Sequence, residues 1–232
     1  MTQKSESLQI MFILTLIGGF LDSYSYVTRG GVFAFAQTGN LVLLSINICY
    51  GNLDKIVRYV MPIIAFILGT TLVRIFEKKH KYMKIVHWRQ VIIVFEGIIL
   101  ALVGFIPENL NKLACLLISF VCAMQIEAFR RFNGVDLMTT MCTGNLKKAT
   151  DRLIDYLYTK DNNLLKASFT TYSAILIFIL GCIIGTLTSI VYSTKSILVL
   201  PVIILIAFII MHETERNKKW NKWKTQMKQM DT

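Results

Sequence analysis

The chain has 232 residues, 54% of them hydrophobic, and carries 25 Lys and Arg against 14 Asp and Glu. A soluble domain needs a polar face on nearly every element, and several long runs here have none. The composition therefore excludes an ordinary soluble fold and predicts an all-α polytopic membrane protein. The net charge of +11 does not indicate nucleic-acid binding, because the basic residues cluster between apolar runs as the positive-inside bias predicts.

Six apolar segments approach the about 20 residues that a helix needs to cross the hydrocarbon core. They are 8–28, 57–76, 91–107, 112–129, 167–191 and 196–212. The first run lacks a strongly basic start and a small-residue cleavage site, so we expect a retained first helix rather than a signal peptide. Glycines inside the spans, such as Gly69 and Gly181, predict close packing between helices.

Basic clusters set the predicted orientation, because loops rich in Lys and Arg remain in the cytoplasm. The clusters are Arg74–Arg89, Arg130–Lys166 and the tail after His212. Both termini are therefore expected in the cytoplasm. Segment 31–50 would then start and end on the outer side, as a re-entrant or broken segment. A full crossing by 31–50 would give seven spans instead of six, and this alternative stays open.

The tetrapeptide TGNL occurs at 38–41 and again at 143–146, which is 105 positions later. At the same offset Asp22 corresponds to Glu127, so an acid precedes each threonine by sixteen residues. Each half would hold one helix, a TGN segment and two more helices, which predicts two three-helix inverted repeats. The predicted units are a first membrane repeat at 1–107, a second at 108–212 and a basic cytoplasmic tail at 213–232.

Thr-Gly-Asn suits the start of a helix, because Thr and Asn cap N-termini and glycine tolerates geometries that a Cβ forbids. We expect each copy to be unwound, with N–H groups directed at a solute. A plain loop that begins a helix is the alternative. The residues after the second copy, 146–158, place an apolar stripe opposite charged residues. They predict an amphipathic helix on the cytoplasmic membrane surface.

Three acids fall inside predicted spans: Asp22, Glu96 and Glu127. A charge at the bilayer centre costs about 2.5–3.5 kcal/mol on insertion scales, so such residues usually face a cavity, pair with a cation or carry a proton. Arg29 is a candidate partner for Asp22, and Arg130 or Arg131 for Glu127. Snorkelling to the interface is the alternative for Asp22 and Glu127, which lie near helix ends.

The predicted substrate or ion pathway combines these acids with the polar residues around both TGN copies. Its members are Asp22, Gln37, Thr38, Gly39, Asn40, Glu96, Gln125, Glu127, Thr143, Gly144 and Asn145. The five cysteines show no paired metal spacing and the three histidines lie in or beside basic loops, so we expect no metal and no cofactor. The sequence carries no hydrolase, metalloprotease or phosphate-binding motif, and we expect neither an enzyme nor catalytic residues.

The stretch GGFLDSYSYVTRGGVFAFAQTGNLVLLSI carries the most specific pattern in the chain. It has an acid three residues after Gly19, a G-G-V-F run from Gly30, and then Q-T-G-N. It resembles the YoaK family of small bacterial membrane proteins, and Met124 and Gln125 before the second TGN are similar to that family's second motif. The resemblance covers essentially the whole chain. It implies about six spans in the bacterial plasma (inner) membrane and brings no substrate with it.

Two functions from different classes fit these features. The first is a secondary transporter or permease of an unknown small solute, with proton coupling as an option and the solute bound between the two halves. The alternative is a non-transporting membrane scaffold, assembly or lipid-interacting protein, which the basic tail with Trp220 and Trp223 favours. The expected partners are the lipid bilayer and the solute, with no nucleic acid. A homo-oligomer stays open.

Overall fold

The computed structural model describes residues 7–80, 88–132, 135–136 and 142–212, and the predicted basic tail at 213–232 lies outside them. Within these ranges the chain is helical apart from one antiparallel pair of two-residue strands. The elements are α1 (Leu8–Thr28), α2 (Gln37–Cys49), α3 (Leu53–His80), α4 (Trp88–Val103), α5 (Asn111–Ala128), β1 (Arg131–Phe132), β2 (Val135–Asp136), α6 (Cys142–Thr159), α7 (Asn162–Tyr192) and α8 (199–212).

Four helical stretches of the described chain are long and apolar enough to cross a membrane. They are Leu8–Thr28, Leu53–Lys79, Glu108–Ala128 and Asn162–His212. The number is smaller than the six predicted spans for two reasons. Helix α4 has only 16 residues, about 24 Å at 1.5 Å per residue, against about 30 Å of hydrocarbon. The stretch Asn162–His212 joins α7 and α8, which the sequence had separated. The protein is thus an all-α membrane protein.

The chain breaks between α7 and α8 at Ser193, whose φ of 47° lies in the left-handed region. A turn of 3₁₀ helix follows, and the Tyr24 hydroxyl donates to the Thr194 carbonyl at 2.8 Å. Further along, Ile204 lies against Gly97 in the middle of α4, whereas Leu198 lies against Gly104 just beyond its end. Helix α8 therefore runs antiparallel to α4.

Helices α1 and α7 pack side by side and run in the same direction. The Leu16 carbonyl lies against Gly181, and the Phe20 carbonyl lies against Gly185 one turn later. A Cβ on either glycine would overlap the backbone of the other helix. Small residues therefore let the two backbones approach closely, as the sequence predicts for Gly181.

Helices α3 and α5 form a second parallel pair. Gly69 of α3 lies against the Phe120 carbonyl of α5, so the predicted close packing at Gly69 is also confirmed. The two pairs meet through α1 and α5, which are antiparallel: the Gln125 side chain donates to the Leu14 carbonyl at 2.9 Å. The main hydrophobic core lies around these two helices.

The two shorter helices each fold back along a long neighbour. Helix α2 packs on α3, and α6 packs on α7. Ser168 of α7 donates to the Ala149 carbonyl, and Arg152 of α6 donates to Thr171 three residues further along α7. Helix α6 therefore runs beside the first part of α7, and Asn145 and Ala149 are buried. Its position on the cytoplasmic membrane surface stays a prediction.

Candidate functional site

A cavity of about 810 Å³, called the central cavity below, lies between α1, α2, α3, α5, α6 and α7. Asp22 of α1 and Gln37 and Thr38 of α2 line it together with Thr143 and Gly144 of α6. The starts of the two TGN helices therefore face the same space. These five residues were predicted as one pathway from the sequence, and the structure brings them together.

Asp22 holds the start of α2. Its side chain is buried, and Oδ1 accepts hydrogen bonds from the backbone N–H groups of Phe35 at 2.7 Å and Ala36 at 3.4 Å. Ala36 is the N-cap residue of α2 and has no side chain able to cap it. The positive end of a helix dipole favours negative charge nearby. The Asp22 carboxylate supplies that charge from a different helix and fixes the two residues that precede α2.

Arg29 is not the partner of Asp22, so that predicted pairing is wrong. Its buried guanidinium donates to the Tyr24 hydroxyl, the carbonyls of Val103 and Ile106, and the Asn111 side chain, each at 3.0 Å. These acceptors belong to the last part of α1, the end of α4 with the segment after it, and the start of α5. Neutral acceptors from three helices therefore satisfy Arg29, and its role is to tie one end of the bundle together.

The first TGN copy lies inside the first turn of α2 and is not unwound. Asn40 is buried, donates to the Phe33 carbonyl at 2.7 Å and accepts from the Phe33 N–H at 3.0 Å. It also donates to the Gln37 side chain at 2.9 Å. Gly39 lies under the Phe33 ring, where a Cβ would come within 2.8 Å of it. The break in the chain therefore precedes TGN, and Asn40 and Gly39 fix the loop against the helix.

The second copy begins α6 in the matching position. Helix α6 begins at Cys142 and α2 at Gln37, and these positions are 105 apart, as the TGN copies are. Asn145 is buried, like Asn40. A Cβ on Gly144 would meet no described atom within 4 Å, in contrast to Gly39. The two copies therefore share their register, and among the described residues their glycines have different neighbours.

Glu96 is separate from the cavity lining. It is fully buried in α4, and neither of its carboxylate oxygens has a hydrogen-bond partner among the described residues. The Cys122 thiol of α5 lies within electrostatic reach of both Glu96 and Asp22. A carboxyl without partners in an apolar interior is costly when charged, which is typical of a functional group in a membrane protein.

Glu127 lies in an ion cluster at the other end of α5. Its carboxylate contacts Arg130 at 3.5 Å and Arg74 at 3.7 Å, and Glu77 contacts each of these arginines at 2.9 Å. The predicted pairing of Glu127 with Arg130 is therefore confirmed, while the side chain of Arg131 lies outside the description. A second pocket of about 450 Å³ adjoins this cluster and shares Thr70 with the central cavity.

Sequence reasoning missed two groups of residues. Glu77 was overlooked because a single acid within a basic cluster is usually exposed to solvent. The aromatic lining of the cavity was overlooked because aromatic residues in apolar spans are usually core or lipid-facing. The lining rings are Tyr26, Phe33, Phe35, Phe66 and Phe178. Gln125, which was predicted to line the pathway, instead links α5 to α1.

Comparison with known proteins yields a family but no characterised relative. A sequence profile described as "Protein of unknown function (DUF1275)" matches residues 10–211. No curated protein and no solved structure matches the chain. Because the match covers both TGN helices and all the helices that pack around them, the chain belongs to the DUF1275 family.

Proposed function

We propose that the protein is a secondary transporter or permease of a small solute, and that the central cavity is its solute site. The observation that carries the proposal is the meeting of the two TGN helix starts with the Asp22 carboxylate in one cavity of about 810 Å³. Ligand pockets are typically about 300–1,000 Å³, with mostly apolar walls and a few placed polar groups. Irregular backbone inside a membrane protein is typical of such sites.

The proposal includes two inverted three-helix repeats. Its support is the pairing of the helices. The contact of α1 with α7 corresponds to that of α5 with α3, and the contact of α2 with α3 corresponds to that of α6 with α7. In each case a helix of one half of the chain takes the place of its equivalent in the other half. Six helices alternate in direction along the chain: α1, α3, α4, α5, α7 and α8. Six membrane crossings joined by short connections would give this alternation.

Within this arrangement, 31–50 is re-entrant. The chain leaves α1 at Thr28 and returns to the level of Asp22 at Phe35. Helix α2 then leads back to Asp54, which pairs with Lys112 at the start of α5. The proposal retains both termini in the cytoplasm, a location in the bacterial plasma membrane and membership of the YoaK group.

The ion cluster of Arg74, Glu77, Glu127 and Arg130 would close the cytoplasmic route from the cavity. Thr70 lines both the cavity and the pocket beside the cluster, so the two spaces are neighbours. Glu96 is the proposed proton carrier, because its unpaired oxygens make its charge state sensitive to any change in its surroundings. Exchange of the cluster's ion pairs would then open the inner side.

Solute flux into proteoliposomes, measured with a broad metabolite panel and with proton gradients in both directions, tests this function. We expect flux of at least one solute, its loss in Asp22→Asn, and loss of the response to the proton gradient in Glu96→Gln. Asp151→Asn, which alters an exposed ion pair on α6, is the matched control. Absence of any flux, with Asp22→Asn, Asn40→Ala and Glu96→Gln together still rescuing a deletion phenotype, would favour the scaffold alternative.

A further inference from the structure

The described wall of the central cavity is rich in aromatic rings and carries one charged side chain. Five rings line it, from Tyr26, Phe33, Phe35, Phe66 and Phe178. The rings of Tyr26 and Phe33 stack with centroids 4.7 Å apart, so part of the wall is a continuous aromatic surface. Among the described lining residues Asp22 is the only one with a formal charge.

Asp22 also lies beside the start of α2, where its Oδ1 atom accepts the N–H groups of Phe35 and Ala36. Its negative charge therefore offsets the positive end of the α2 dipole on the cavity side. An anionic solute beside it would meet a carboxylate. A cation would meet a carboxylate and the negative faces of aromatic rings, both of which attract positive charge.

The size and polarity of the cavity narrow the class of ligand further. A metal ion or an ammonium ion would leave most of about 810 Å³ to water and would contact few of the aromatic rings. An organic cation replaces that hydration with ring contacts and fills the remaining volume with an apolar body. Quaternary ammonium groups are recognised in this way by aromatic cages.

We infer that the central cavity binds a monovalent organic ammonium ion with an apolar body, its nitrogen beside Asp22 and its body against the aromatic rings. This assignment rests on the proposed function for the identity of the site, and it adds the substrate class. The start of α6 is the feature of the wall that favours negative charge, so a carboxylate probe forms the opposing arm of the test.

The probe is tritiated phenyltrimethylammonium, bound at equilibrium to the full chain in lipid nanodiscs. Its competitors are tert-butylbenzene, which replaces the charged nitrogen with carbon at nearly the same shape, and benzoate, which carries the opposite charge. We expect unlabelled phenyltrimethylammonium to compete at least about tenfold better than either of them. This comparison uses the unaltered protein and does not depend on a variant folding.

Asp22→Asn then tests the carboxylate, because an asparagine Oδ1 can still accept the Phe35 N–H. We expect about a tenfold weaker binding of the cation and unchanged competition by tert-butylbenzene. Phe178→Leu should lower the preference for the cation over tert-butylbenzene, a ratio that loss of packing alone would not change. Asp151→Asn, an exposed carboxylate on α6, should leave binding unchanged.

Preferential binding of benzoate, equal competition by the cation and tert-butylbenzene, or unchanged binding in Asp22→Asn would overturn the assignment. The outcomes for transport are separate. Binding of the cation without flux of any solute would support the ligand class and contradict the proposed transport function. Flux of some other solute without binding of the cation overturns the class and leaves the transporter in place.

Discussion

The same four residues begin α2 and α6, yet their surroundings differ. In α2, Gly39 lies against the Phe33 ring, and Asp22 accepts the backbone N–H groups of the two residues before the helix. In α6, Gly144 has no described atom within 4 Å of where its Cβ would lie, and the acid at the position equivalent to Asp22, Glu127, belongs to an ion cluster beside a different pocket. A shared motif in matching register therefore fixes where a helix begins, while the residues packed around it decide what that helix start does.

The largest expected effect separates the two equivalent acids. Asp22→Asn should lower cation binding about tenfold, because it removes the charge of the cavity wall. Glu127→Gln should leave binding within about twofold, because Glu127 lies in the ion cluster and not in the cavity lining. Equilibrium binding in nanodiscs checks both variants. An equal loss in the two variants would contradict the division of roles.

The glycine contacts between helices give the next largest effect. Gly69→Ala and Gly181→Ala would each push a Cβ into the backbone of the facing helix. Overpacking of this kind costs typically about 1–3 kcal/mol, and a backbone neighbour cannot move aside as a side chain can. We expect both variants to lower the thermal unfolding temperature in detergent by similar amounts, since the two helix pairs are arranged alike. A strong effect in one variant alone would break the correspondence between the halves.

The TGN glycines predict a smaller and unequal effect. Gly39→Ala places a Cβ 2.8 Å from the Phe33 ring, which can shift at a cost of about 1 kcal/mol. The Cβ of Gly144→Ala meets no described atom, and alanine has the higher helix propensity. The unfolding free energy should therefore stay within about 0.5 kcal/mol of that of the unaltered protein. The same unfolding measurement compares them. Equal destabilisation would show that the two copies pack alike.

Much of this arrangement is predictable from the sequence. Apolar length and charge clusters locate the helices, and the 105-residue offset of TGNL matches the offset between the first residues of α2 and α6. The partners of individual side chains were harder to predict. Arg29 is the nearest cation to Asp22 in sequence, but the chain turns after α1 and carries Arg29 to the start of α5, while the loop returns Phe35 to Asp22.

The aromatic wall of the cavity could not be predicted for a similar reason. A phenylalanine in an apolar span has the same pattern whether it faces lipid, core or solute, and only helix packing distinguishes these cases. Phe66 and Phe178 lie on different helices from different halves of the chain. The periodicity of one span does not show which rings share a cavity.

A small effect is also expected in the ion cluster. Glu77→Gln removes two contacts to arginines, but both arginines are 39–50% exposed, so we expect a loss of no more than about 1 kcal/mol in unfolding free energy. The loss should shrink in high salt, because exposed charges are screened. Thermal unfolding at low and high ionic strength measures it. A large, salt-independent loss would make the cluster a core element of the fold and not a gate.

A solute bound in the cavity should contact the starts of both α2 and α6, because both line it. The direct measurement uses two proteins without native cysteines, one carrying Thr38→Cys and the other Thr143→Cys, and follows the rate of thiol modification with and without phenyltrimethylammonium. We predict that the cation slows modification at both positions over the same concentration range. Protection of one position without the other, while the cation still binds, would contradict the account.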